Sequence, residues 1–336
     1  MNKSQRQTKS TINWRKYIRY LSLIVGLGFL VNIGIIFFFT DSFDPKSLLS
    51  FSWEYLLLAF VLGLLPIYMH AYTLKLWGDY FKSTISYKNS VNVAATTLLG
   101  SAVTPTMFGG APLKLGLLVM HGFKTGHSAA VVAIGSIQDV IAFLFIMIGS
   151  IYLSETIDIG VITSKVTSLD FNLIQIVIAI AVIGLVIWLL KTILNKTTFG
   201  QKIVLSITKS LADFKNAFQL IAKNGKLYFL VTTLISTLRW IVIYLVLIAL
   251  VKGLFLDNIN YLEIFSLEWL VFSGMTFTPT PGAAGGAEAV FYFIYNDYFS
   301  SSIIVALILA WRFFTVYLSL IYAALLMVFF SRNETS

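Results

Sequence analysis

Six stretches of the chain stay apolar long enough to cross a bilayer as helices: residues 20–40, 55–77, 127–153, 171–194, 227–251 and 301–330. A spanning helix needs about 20 mostly apolar residues, so each is predicted to span. The first follows a polar segment and lacks a small-residue cleavage site, so it reads as a retained span rather than a signal peptide. Two further apolar stretches are interrupted. Residues 90–122 break at Thr104-Pro105-Thr106-Met107-Phe108-Gly109-Gly110-Ala111-Pro112. Residues 263–300 break at Thr278-Pro279-Thr280-Pro281-Gly282-Ala283-Ala284-Gly285-Gly286-Ala287. The arms on either side are too short to span alone. Backbone groups freed by Pro and Gly are tolerated at membrane depth only inside protein or beside a cavity. Residues 104–112 and 278–287 are therefore expected to be non-helical and to meet from opposite sides.

The position of charge separates a kinked span from a hairpin that enters and returns. Cytoplasmic loops are rich in Lys and Arg. Lys3, Arg6, Lys9, Arg15, Lys16 and Arg19 place the N-terminal segment inside. Lys191, Lys196, Lys202, Lys209, Lys215, Lys223 and Lys226 lie inside as well only if residues 90–122 form a re-entrant hairpin. The second hairpin then enters from outside, and both termini are cytoplasmic. The order span, span, broken hairpin, span thus occurs twice, in halves of about 1–168 and 169–336 with opposite topology. The breaks also share Thr-Pro-Thr followed by Gly-Gly-Ala. Inverted repeats with discontinuous helices at matching positions point to a transporter site near the midplane. Within the loop before the fifth span, Ile203, Ile207, Leu211, Phe214, Phe218 and Ile221 fall on one helical face. Residues 200–225 are expected to lie as an amphipathic helix on the cytoplasmic face of the membrane.

Composition agrees with this architecture and narrows the chemistry. Only 12% of the 336 residues are charged and 58% are hydrophobic, about half the charge of a soluble domain. The fold class is all-α: a polytopic membrane protein of about six spans and two broken-helix hairpins. A net charge of +9 reads as attraction to an anionic membrane surface, and no nucleic-acid partner is expected. With no Cys, disulfides, thiol nucleophiles and Cys-type metal sites are excluded. His121 and His127 have no nearby carboxylate in sequence, so no metal is expected. Motifs for dinucleotide binding, phosphate-binding loops, zinc proteases and serine nucleophiles are missing. No catalytic residue and no cofactor are assigned.

Ionisable residues inside spans mark functional sites by default. Arg239 lies mid-way along the fifth span, Arg312 in the sixth and Asp139 in the third; Lys114 follows the first Gly-Gly and Glu288 the second. Guanidinium groups fit phosphate oxygens, and half-helices beginning after Gly110 and Gly286 would aim positive dipole ends at an anion. These five residues are the candidate substrate site. The alternative is that they pair internally, Arg239 or Arg312 with Asp139 or Glu288, and both arrangements hold if a bridge opens to substrate. Thr104, Thr106, Thr278, Thr280 and Gln138 offer hydroxyl or amide contacts, or else satisfy neighbouring backbone. Glu268 and Trp269 are expected at the membrane interface.

Gly109-Gly110-Ala111-Pro112-Leu113-Lys114, with Leu117-Leu118 and residues 121–133, resembles the first motif of the lysylphosphatidylglycerol synthase transmembrane family, also called flippase-like membrane proteins. Residues 278–288, a Pro-Gly-rich turn ending in Gly-x-x-Glu, resemble its second motif, and the likeness covers about residues 15–330. Fused members, the multiple peptide resistance factors, carry a soluble aminoacyltransferase domain, which has no counterpart in these residues. The family often has Arg before the Asp of the third span, where this chain has Gln138-Asp139. The resemblance implies a bacterial inner-membrane transporter that moves or binds phosphatidylglycerol, lysylphosphatidylglycerol or a lipid-linked glycan. The alternatives are the membrane subunit of a phosphatidylglycerol lysyltransferase that confers cationic peptide resistance, and a small-solute or ion transporter. The implied partners are a membrane phospholipid and a separate soluble aminoacyltransferase or glycosyltransferase.

Overall fold

The computed structural model describes residues 45–102, 110–153, 215–256 except 217, 259–276, and 278–333 except 279 and 281. Every regular element among them is helical. After a 3₁₀ turn at Pro45–Ser50 come α1 (Trp53–Tyr80), α2 (Tyr87–Ala102), α3 (Gly110–Met120) and α4 (Thr125–Leu153). Then follow α5 (Lys226–Gly253), α6 (Tyr261–Thr276), α7 (Gly286–Tyr295), α8 (Ser301–Arg312) and α9 (Leu318–Asn333). A π-helical turn, Phe313–Tyr317, joins α8 to α9 without a break.

Among the described residues four helices are long and apolar enough to cross a membrane: Trp53–Tyr80, Thr125–Tyr152, Lys226–Gly253 and Ser301–Met327. They coincide with four of the six spans expected from hydropathy. The stretches 20–40 and 171–194 lie outside the described residues, as does most of the amphipathic stretch 200–225, of which 218–224 is helical. The outer faces of α1, α4 and α5 expose Leu57, Phe60, Val61, Phe145, Ile148, Leu230 and Leu234. Contiguous exposed apolar surface of this kind suits lipid rather than water.

α1 and α5 form the most extensive helix pair among the described residues. They run antiparallel: Ser52 N–H donates to Gly253 O at 2.8 Å at one end, and the Tyr80 hydroxyl donates to Leu220 O at 3.1 Å near the other. α2 packs on α3, and α6 packs on α7. The two hairpins occupy opposite ends of the α1–α5 pair. One core joins Ile67–Trp77 side chains of α1 to α2, α3 and the start of α4. The other joins Phe51, Ala59 and the α5 residues 246–251 to α6, α7 and α8. α8 and α9, one span with the π turn in its middle, contribute to both cores in turn.

The breaks are shorter than the sequence implies. Gly110, Ala111 and Pro112 are already in α3, and Gly286 and Ala287 are in α7. Pro112 fits there because the first helical turn makes no use of its missing N–H. Residues 104–109, with Thr104, Pro105, Thr106 and Gly109, lie outside the described residues, as do Pro279 and Pro281. The second break turns through left-handed backbone at Gly282 (φ 62°), Ala283 (φ 55°) and Gly285 (φ 91°). The glycines adopt this freely, whereas Ala283 costs about 1–2 kcal/mol. This turn comes close to the end of α2: a Cβ added to Gly282 would sit 3.9 Å from Ala102 O.

Candidate functional site

A cavity of about 240 Å³ lies where α1, α2, α3, α4, α5 and the π turn converge. Its polar lining is His70, Thr97, Ser101, Lys114, Asp139, Arg239, Thr315 and Ser319, and the remainder is apolar. A recess of about 10 Å³ adjoins it and shares His70, Lys114, Asp139 and Arg239. Three of the five charged residues singled out from sequence therefore meet in one place.

Within the cavity, Arg239 Nη2 is ion-paired to Asp139 Oδ1. Trp240 Nε1 donates to the same carboxylate oxygen at 3.3 Å. Arg239 Nη1 lies 3.3 Å from His70 Nδ1. As the guanidinium can only donate, Nδ1 is the acceptor and the ring proton sits on Nε2. The pair is open to its surroundings, with Arg239 15% and Asp139 39% exposed. Lys114 reaches the same site from α3 and has no hydrogen-bond or ion-pair partner among the described residues. Gly135 on α4 leaves room for it: a Cβ there would come within 4.0 Å of Lys114 Nζ. Two cations thus share one carboxylate, and the site has spare positive charge.

The second pair is built differently. Arg312 Nε and Glu288 Oε1 are ion-paired with only 2% and 1% of their side chains exposed. Arg312 Nη2 donates to Gly282 O at 3.2 Å and Ala283 O at 3.0 Å. Glu288 Oε2 accepts the Gly285 N–H at 2.7 Å. The positive end of α7 is thereby met by the chain's own carboxylate, where negative charge is stabilising. Arg312 pins the left-handed turn through its carbonyls. Thr280 Oγ1 donates to Ala284 O at 2.7 Å and Thr278 Oγ1 to Gly274 O at 3.1 Å, so both threonines satisfy freed backbone.

The two hairpins place charges at matching positions with the signs exchanged, although only the second forms an ion pair with the following span. In the first, the cation (Lys114) is on the hairpin and the acid (Asp139) on the following span. In the second, the acid (Glu288) is on the hairpin and the cation (Arg312) on the span. One version faces a cavity and the other is sealed in protein.

Gln138 lines the adjoining recess, where its Nε2 donates to Thr232 Oγ1 at 2.6 Å and Phe229 O at 3.2 Å, tying α4 to α5. His70 was passed over in reading the sequence. The available signal was a histidine inside an otherwise uncharged apolar span. Glu268 is fully buried in protein, with Oε1 accepting Trp311 Nε1 at 3.1 Å. It is enclosed because α6 packs into one core with α5, α7 and α8. Trp269 is half-buried and packs edge-on against Phe143 of α4.

Residues 22–323 match the family described as the lysylphosphatidylglycerol synthase TM region. The chain belongs to that family. An Archaeoglobus fulgidus relative, described as a UPF0104 membrane protein, is 22% identical over 322 residues, covering 89% of this chain and 94% of its own length. Both cavity-lining and sealed charges of this family member fall inside the matched region. Membership supports a multi-pass membrane protein with a lipid-related role.

Proposed function

We propose that the protein is a flippase-type lipid transporter of a bacterial inner membrane. It takes the phosphate of a phospholipid headgroup, either anionic phosphatidylglycerol or its cationic lysyl ester, into the cavity around Lys114, Asp139 and Arg239. The observation that carries this reading is the spare cation: Lys114 has no ion-pair partner among the described residues and stands beside an ion pair that is itself partly exposed. A phosphate can take Lys114 and draw Arg239 from Asp139 by bidentate contact. The carboxylate released in that step suits the ammonium of a lysyl headgroup. At about 240 Å³ the cavity is smaller than the about 300–1,000 Å³ of drug-sized ligand sites. A volume of this size suits one small headgroup in this conformation.

In this reading the two hairpins are re-entrant from opposite sides, within six spans and cytoplasmic termini. The positions of the hairpins at opposite ends of the antiparallel α1–α5 pair support it. Alternating access begins when the cavity's Arg239–Asp139 pair opens to the headgroup. The test is reconstitution in liposomes with fluorescent phosphatidylglycerol and a membrane-impermeant quencher. The protein is expected to move lipid between leaflets, and Lys114→Ala or Arg239→Ala to slow it at least tenfold. Movement no faster than in empty vesicles refutes transport of that lipid.

The family description favours a second reading, the membrane subunit of a phosphatidylglycerol lysyltransferase acting with a soluble aminoacyltransferase. Formation of lysylphosphatidylglycerol only when both proteins are present would support it.

A further inference from the structure

Glu268 is a carboxyl group in surroundings that do not support an ion. It lies mid-way along α6 and is fully buried. Among the described residues Oε1 has one hydrogen bond, from Trp311 Nε1 at 3.1 Å, and Oε2 has none. The buried cations nearby are committed elsewhere: Arg312 pairs with Glu288 and Arg239 with Asp139. Among the described residues Glu268 has no ion-pair partner.

The groups around it come from every packed element. α5 brings Tyr244, whose hydroxyl is also buried without a partner. α7 brings Tyr295, whose hydroxyl donates to Ile264 O at 2.8 Å, and Glu288, held by Arg312. α8 brings Trp311 and Arg312, and α4 has only one carboxylate, Asp139. On α6 itself Glu263 accepts the Tyr298 hydroxyl at 2.6 Å. An unpaired buried carboxylate costs several kcal/mol even after relaxation. A neutral carboxylic acid keeps the Trp311 bond at Oε1 and gains a donor at Oε2.

We infer that Glu268 is a proton-binding site: it holds a proton in this conformation and exchanges it when the second hairpin rearranges. Intramembrane carboxyls of this kind serve as proton relays. Arg312 stacks on the Trp311 ring, 5.6 Å from its centroid, and its Nη1 is buried without a partner. If Glu288 leaves Arg312, the freed positive charge stands one residue from the donor to Glu268 and favours the carboxylate. The O–H bond then breaks, its electron pair stays on Oε2, and the proton passes to water.

The experiment is infrared spectroscopy of the whole protein in liposomes, following the C=O stretch of protonated carboxylic acids near neutral pH. One such band should vanish in Glu268→Gln, the isostere of the neutral acid. The same band should shift in Trp311→Phe, which reads the site if the first variant folds poorly, and should downshift in D2O in the wild type. A spectrum unchanged by both substitutions, or a band that D2O never shifts, overturns the inference. This readout needs no lipid movement, so its failure is distinct from failure of the transport reading. Where fluorescent phosphatidylglycerol does move, an imposed pH gradient should change the wild-type rate and leave the Glu268→Gln rate unchanged; equal sensitivity in both refutes proton exchange in the cycle.

Discussion

Replacing Glu288 with alanine isolates what holds the second hairpin. The substitution strands the Arg312 guanidinium at 2% exposure with only the Gly282 and Ala283 carbonyls as partners. It also removes the acceptor for the Gly285 N–H at the start of α7. Breaking a buried pair by removing one member costs about 3–5 kcal/mol, so Glu288→Ala should lose at least about 3 kcal/mol. At 1.4 kcal/mol per decade, that is roughly a hundredfold or more in the unfolding equilibrium. Glu288→Gln keeps one acceptor oxygen, but that oxygen cannot serve both Arg312 Nε and Gly285 N–H, so an intermediate loss is expected. The double variant Glu288→Met with Arg312→Met removes the stranded charge and should lose less than the two single methionine variants added together, by at least about 1.5 kcal/mol. The assay is equilibrium unfolding in mixed detergent micelles with increasing SDS, followed by circular dichroism. Stability of Glu288→Ala within about 1 kcal/mol of wild type, or strict additivity in the double variant, would refute the account of a sealed structural pair.

Three further outcomes are expected. Gly274→Ala should destabilise by about 1–3 kcal/mol through overpacking, because its Cβ would meet Val290 Cγ2 at 2.7 Å and Cγ1 at 2.8 Å; Val290→Ala in the same chain should recover most of it in the same SDS titration. Asp139→Asn leaves Arg239 and Lys114 without a carboxylate and should tighten phosphatidylglycerol binding several-fold by native mass spectrometry, with weaker binding placing the pair outside the headgroup site. Between α7 and α8, burial and the hydrogen bond to Glu263 raise the Tyr298 hydroxyl above its ordinary value. Its contribution is therefore fully present below the unfolded value of about 10 and is lost as pH rises through the higher folded value; Tyr298→Phe should show a shallower alkaline loss of stability than wild type.

Much of the fold was legible because lipid imposes a length and a composition on anything that crosses it. The spans at 55–77, 127–153, 227–251 and 301–330 could be read from hydropathy alone. The Gly and Pro clusters marked the breaks, but not their width, since Gly110 and Gly286 serve as first-turn residues as readily as loop residues. Pairing was not legible. Two arginines and two acids admit several matchings, and only the packing of α4 on α5 and of α7 on α8 selects Asp139 with Arg239 and Glu288 with Arg312. The difference between an exposed pair and a sealed one is likewise invisible in sequence, because both sit in equally apolar surroundings. The burial of Glu268 is illegible for the same reason: its partner Trp311 is 43 residues away.

The π turn at Phe313–Tyr317 carries a consequence for length rather than composition. A π turn amounts to one extra residue wound into an α-helix. It sets the angular phase between Arg312, which faces the second hairpin, and Thr315 and Ser319, which face the cavity. Deleting a single residue within 313–317 would let the helix close into regular α geometry and turn α9 by roughly 100° relative to α8. With Phe313 as the residue removed, every side chain of the sealed pair and of the cavity would be retained, yet Ser319 would lose its 2.8 Å bond to Gly63 O. This span is thus more vulnerable to a change of count than to most changes of residue.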